Sequence, residues 1–89
     1  MTEEEQNKII AMGREAQALQ TNSALEAVFS STLEDLFSRW CGTASEDTAE
    51  RMAIWSTAQA LREFKNTLDA FVATGKLEET NREFDRNNK

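Results

Sequence analysis

The stretch from Ser45 to Gly75, SEDTAERMAIWSTAQALREFKNTLDAFVATG, decides the fold. Ser45 can cap a helix at its N-terminus, and Glu46, Asp47 and Glu50 place negative charge where the helix dipole favours it. Thr43 with Glu46 offers a competing capping box. Ile54, Leu61 and Leu68 then recur every seven residues, and Thr57, Phe64 and Phe71 make a second seam beside them. Spacings of three and four put all six on one helix face. No proline or glycine interrupts the run before Gly75, a residue suited to the left-handed position just past a helix end. The pattern predicts one helix of about 28 residues, some 42 Å long at 1.5 Å per residue.

Two more helices precede it. Thr2 and Glu5 form a capping box, and Ile9, Met12, Ala16 and Leu19 make the stripe of a first helix ending near Leu19. Gly13 weakens that helix by up to about 1 kcal/mol relative to alanine. It reads equally as a tolerated exposed glycine or as a point where another backbone crosses closely. Asn22 and Ser23 are both competent N-caps, and Ser23 with Glu26 makes another capping box. The second helix, about Ala24 to Trp40, carries Leu25, Phe29, Leu33, Leu36 and Trp40 on its stripe, widened by Val28, Thr32 and Phe37. Cys41-Gly42-Thr43-Ala44 is a connector of the length that joins antiparallel helices. After Gly75 the chain is polar, with Leu77 and Phe84 its only large apolar groups, and is expected to fray unless a partner orders it. No stretch alternates with the period of a strand.

The expected fold is therefore all-α: a long antiparallel helical hairpin with a kinked first arm, three helices in one domain over residues 1–75, followed by a polar tail over 76–89. Folding the third helix back on the second from a turn near Thr43 sets Leu33 level with Ile54 and Leu25 with Leu61. Phe64, Leu68 and Phe71 then overrun the second helix, and leaving each wet forfeits about 1.5–3 kcal/mol. A first helix kinked at Thr21 to Ser23 but roughly in line with the second would cover them. One folded back beside the second would leave them to another subunit. Trp55 and Met52 lie on a further face, so Trp55, Leu61, Phe64, Leu68 and Phe71 are the expected interface residues of a homo-oligomer, a dimer or larger helical bundle.

With 89 residues the chain sits near the size at which one core suffices only marginally. Its net charge of −6 argues against binding nucleic acid by phosphate neutralisation, and leaves either a plain acidic surface or one that meets a basic partner. A lone cysteine, Cys41, allows no intrachain disulfide and fits a reducing compartment. The first residues are polar and acidic, unlike a signal peptide, and no apolar run reaches the roughly 20 residues of a membrane span. The chain has no histidine, which removes the commonest general base and metal ligand. Cys41 falls at a helix C-terminus, where the dipole disfavours a thiolate. Glu34, Asp35, Glu46, Asp47 and Glu50 gather around the turn without the spacing of a calcium loop. Trp40 and Trp55 have the helical spacing of core or interface residues, and Arg39 and Arg51 are placed to pair with Asp35, Asp47 or Glu50. These readings predict no catalytic, cofactor-binding or metal-binding residues, no cofactor, and no enzymatic activity.

The order Leu36, Trp40, Thr43, Asp47, Arg51, Trp55, Leu61, Leu68, Gly75-Lys76 resembles a group of short helical proteins encoded among the structural and packaging genes of tailed bacteriophages. The likeness covers roughly Ala24 to Lys76 and consists of packing and capping residues, so it carries no catalytic residues. It implies a virion-assembly or structural accessory, resident in the host cytoplasm or the virion and bound to itself and to another phage structural protein. The alternative it leaves open is a small acidic inhibitor of a host protein such as a defence nuclease.

Overall fold

Capping chemistry sets where the helices begin. In a computed structural model describing residues 1–88, Thr2 accepts the Glu5 backbone N–H on its hydroxyl at 3.1 Å, and α1 runs Glu3–Gln20. The two residues Thr21 and Asn22 break the helix. Asn22, rather than Ser23, caps α2 (Ser23–Cys41), its side chain accepting the Leu25 N–H at 2.9 Å. Both residues cap well, and the amide wins while Ser23 becomes the first helical residue. α3 spans Thr48–Asn87, 40 residues, about 60 Å at 1.5 Å each. There is no strand among the described residues.

Three expectations about α3 are corrected. Ser45 is not its cap. The Asp47 N–H donates to the Ala44 carbonyl at 3.0 Å, closing a turn that contains Ser45, and the helix ladder opens with the Arg51 N–H on the Asp47 carbonyl at 3.2 Å. The linker from Thr43 to Thr48 holds many cap-competent side chains, so sequence spacing alone did not select one. Gly75 does not end the helix either. No glycine has a positive φ, and the helix continues for twelve more residues to Asn87. The segment expected to fray from Lys76 onward is thus helical. Finally, the second seam of α3 is not Thr57, Phe64 and Phe71. Ala58 is half-buried and Val72 is buried, whereas Phe64 and Phe71 remain 56% and 49% exposed.

The chain forms two compact units, Met1–Thr21 with the chain from Asn66 onward, and Asn22–Lys65. In the first unit α1 packs against the C-terminal half of α3. Ile10, Ala16 and Val72 are buried there together with Gly13 and Gly75. The two glycines meet. A Cβ built on Gly13 would lie 2.7 Å from Gly75 Cα and 3.0 Å from the Phe71 carbonyl oxygen. One built on Gly75 would lie 2.8 Å from Gly13 Cα. Gly13 is therefore the crossing point, and Gly75 owes its place to backbone approach rather than to a left-handed turn.

Beyond the glycines this seam is polar. Gln6 donates to the Glu78 carboxylate at 3.1 Å, and Arg82 donates to the Gln6 side-chain oxygen at 3.3 Å and to Asn7. Arg14 pairs with Glu79 at 2.8 Å, and Gln20 donates to Asp69 at 2.7 Å. Exposed pairs of this kind contribute about 0–1 kcal/mol each. Together they fix the antiparallel register that stacks Gly13 on Gly75.

In the second unit α2 and the first half of α3 form an antiparallel hairpin. Leu36 and Ile54 are buried, with Leu25, Phe29, Ala58 and Leu61 half-buried around them. The rings of Phe29 and Phe64 lie 5.6 Å apart and tilted by 37°, so Phe64 is within reach of α2, not beyond its end. Arg51 closes the turn. Its guanidinium lies 5.0 Å from the centroid of the Trp40 ring, and its Nε donates to the Thr43 hydroxyl at 2.7 Å. That hydroxyl donates to the Trp40 carbonyl at 2.7 Å. The expected pairing of Arg51 with an acid is thus replaced by a cation–π stack, while Arg39 does approach Asp35 at 3.8 Å.

Candidate functional site

A two-helix layer has one line of contact and two open sides, and each unit of this chain shows the consequence. Among the described residues only five apolar side chains are buried: Ile10, Ala16, Leu36, Ile54 and Val72. Twelve large apolar ones are exposed, among them Phe37, Trp55, Phe64 and Phe71. Of the five expected interface residues, Leu61 and Leu68 are half-buried on the intramolecular seams, and Trp55, Phe64 and Phe71 face outward.

The outward apolar groups are organised. In the second unit a groove of about 380 Å³ runs between α2 and α3, with Leu25, Val28, Phe29 and Thr32 on one wall. Thr57, Ala60, Leu61 and Phe64 form the other. Its two polar residues are internally satisfied. The Thr32 hydroxyl donates to the Val28 carbonyl at 2.8 Å and the Thr57 hydroxyl to the Ala53 carbonyl at 3.0 Å. Both hydroxyls are occupied by their own helix, which leaves the methyl groups to line the groove. In the first unit a smaller apolar groove, about 320 Å³, lies among Ile9, Met12, Phe71 and Thr74 and the stem of Lys8. Sequence periodicity found the groove-lining Phe64 and Phe71 but placed them on the seam. The offset of one residue between positions 57 and 58 decides which side faces in.

Polar chemistry is sparse by comparison. An open recess of about 680 Å³ near the chain's first residues is lined by Glu3, Gln6, Glu78, Arg82 and Asp85, among others. Gln6, Glu78 and Arg82 are engaged with one another there. Among the described residues no three acidic, cysteine or histidine side chains converge as metal ligands, and no buried side-chain nitrogen or oxygen lacks a partner. At the turn, Glu50 shares a hydrogen bond with the Asp47 carboxyl, and that bond, then the neighbouring negative charge, holds the Glu50 pKa above its ordinary value. Cys41, the last residue of α2, is exposed with a free thiol. No described helix is long and apolar enough to cross a membrane. What the described residues do offer is apolar contact surface. The chain matches no protein-family model, no curated protein and no solved structure.

Proposed function

We propose that this protein acts without catalysis, by protein–protein contacts, as a self-associating helical accessory of tailed-bacteriophage virion assembly or structure, in the host cytoplasm or in the virion. The observation that carries the contact reading is the balance of apolar burial: among the described residues twelve large apolar side chains are exposed and five apolar residues are buried. The exposed groups do not all lie singly: Val28, Thr57, Ala60 and Phe64 are exposed along one groove whose other lining residues are half-buried. The phage setting rests on the resemblance of Leu36 to Lys76 alone. Its partners in this reading are a second copy of the chain and another phage structural protein, with no direct contact to nucleic acid or membrane.

A second reading has its own support. The net charge of −6, with Glu46, Asp47 and Glu50 gathered at one turn, suits a small acidic inhibitor seated on a basic site of a host protein. One experiment separates the two. Particles purified from an infected host are examined by quantitative mass spectrometry, alongside affinity capture with the tagged chain. A fixed copy number per particle supports the accessory. Absence from particles with tight, salt-sensitive capture of one host protein contradicts it and establishes the inhibitor.

A further inference from the structure

We infer that the groove of the second unit is the seat of a second copy of this chain, joined in an antiparallel, two-fold symmetric pair that turns two helical hairpins into a four-helix bundle. The inference rests on the self-association proposed above and specifies its surface and symmetry.

The area argument comes first. The chain exposes 6882 Å². A folded monomer of 10.1 kDa is expected to expose about 5,300 Å², so the excess is about 1,600 Å². A standard interface removes about 800 Å² per partner, and obligate homodimers remove more than about 1,000 Å². That excess belongs to the whole chain, and its size is what a permanent homodimer buries.

The chemistry of the groove selects a like partner. Along α3 its outward line is Ala53, Thr57, Ala60 and Phe64, without a charge. Small residues there permit close helix approach, and the satisfied threonine hydroxyls leave nothing polar to desolvate. A basic partner would find no carboxylate to pair with in the middle of this face. The same line does carry charge at the turn end: Glu50 lies seven residues before Thr57, and Asp35 lies seven after Val28. A parallel pair would set each copy's acids against the other's. The antiparallel pair sends them to opposite ends and brings Ala60 onto its own copy at the axis. Phe64 of each chain then lies level with Ser56 of the other, next to Thr57, where small side chains leave room for a ring.

The test uses the full chain and two surface substitutions. Ala60 is exposed, so Ala60→Arg puts a charge on the axis without touching a buried residue. Trp55 stands nine residues before Phe64, two and a half turns, on the opposite flank, so Trp55→Arg is the control. Sedimentation velocity should show a wild-type dimer, a Trp55→Arg dimer, and an Ala60→Arg chain of unchanged helicity whose dissociation constant is roughly 30-fold or more weaker. In a Cys41→Ser background, Ala60→Cys should oxidise to a disulfide-linked dimer, because residues on the axis come within the roughly 4.4–6.8 Å Cα separation a disulfide needs. This arm decides the matter if Ala60→Arg fails to fold. A dimer that survives Ala60→Arg, or an Ala60→Cys chain that does not cross-link, overturns the surface while leaving self-association standing. A wild-type chain that is monomeric at high micromolar concentration overturns both, and leaves contact with a different protein to the particle experiment.

Discussion

Gly13 and Gly75 offer the sharpest perturbation of the fold. Helix propensity alone says that Gly13→Ala, in the middle of α1, gains about 0.8–1 kcal/mol. The geometry says the opposite. The new methyl would lie 2.7 Å from Gly75 Cα and 3.0 Å from the Phe71 carbonyl oxygen, and both obstacles are backbone, which cannot rotate aside. Forcing extra volume into such a contact costs about 1–3 kcal/mol. The difference is a net loss of up to about 2 kcal/mol, and each kcal/mol lowers the melting temperature of a domain this size by about 4–8 °C. Gly42→Ala is the internal control. Its Cβ would sit 3.5 Å from the Arg39 carbonyl oxygen, an ordinary contact, and its φ of −82° suits alanine, so stability there should hold or rise. The double substitution Gly13→Ala with Gly75→Ala should cost less than the sum of the two, since helices already pushed apart by one methyl admit the second. Thermal unfolding followed by circular dichroism compares the wild type with the two single substitutions, the double and the Gly42→Ala control. A Gly13→Ala protein that melts higher than wild type would refute the close crossing and restore the exposed-glycine reading.

Other substitutions address the ends and the turn. Asn22→Ala removes the side-chain acceptor of the Leu25 N–H and should cost about 0.5–2 kcal/mol in urea unfolding, whereas Ser23→Ala, at the first helical position, should cost much less. Arg51→Lys should lose the planar stack on Trp40 and the geometry at Thr43, about 0.5–1 kcal/mol, with a changed near-ultraviolet signal from the indole. Because Asp47 raises the Glu50 pKa in the folded chain, the folded state takes up that proton before the unfolded one as pH falls. This group's contribution to stability therefore rises as pH falls through its folded value and levels off below the ordinary value of 4.5, and Glu50→Gln should abolish that component. An NMR titration of Glu50 with a midpoint at or below the ordinary value would contradict the pair.

The sequence made the helices legible because their apolar residues recur at helical spacing and their N-caps are good. Ile54, Leu61 and Leu68 point inward as their seven-residue spacing requires, and Thr2 caps α1 as expected. The second seam departs from the periodicity for a physical reason. Hydrophobicity favours Phe64 and Phe71, but a close two-helix contact puts Ala58 and Val72 inside and leaves the rings on the flank. The role of Gly75 is not legible from sequence because a glycine serves a left-handed turn and a close backbone approach equally well. Only the register that stacks it on Gly13 distinguishes the two. The helical stretch beyond Gly75 escaped notice because its inward positions are filled by Glu78, Glu79 and Arg82, matched to Gln6, Arg14 and Asn7, and apolar periodicity cannot register a polar seam. The groove residues were each visible in the sequence. Their assembly into one charge-free face was not, since it depends on which side of α3 meets α2.

The most direct test of the account is sedimentation equilibrium of the wild-type chain across a dilution series from high to low micromolar, at low and high salt. The account predicts a mass twice the chain's 10.1 kDa at the upper concentrations. It also predicts association that tightens as salt screens the repulsion between two chains of net charge −6, because the contact is apolar. A mass of 10.1 kDa at every concentration and salt would contradict it, and a dimer that loosens with salt would show that charge, not the apolar groove, holds the copies together.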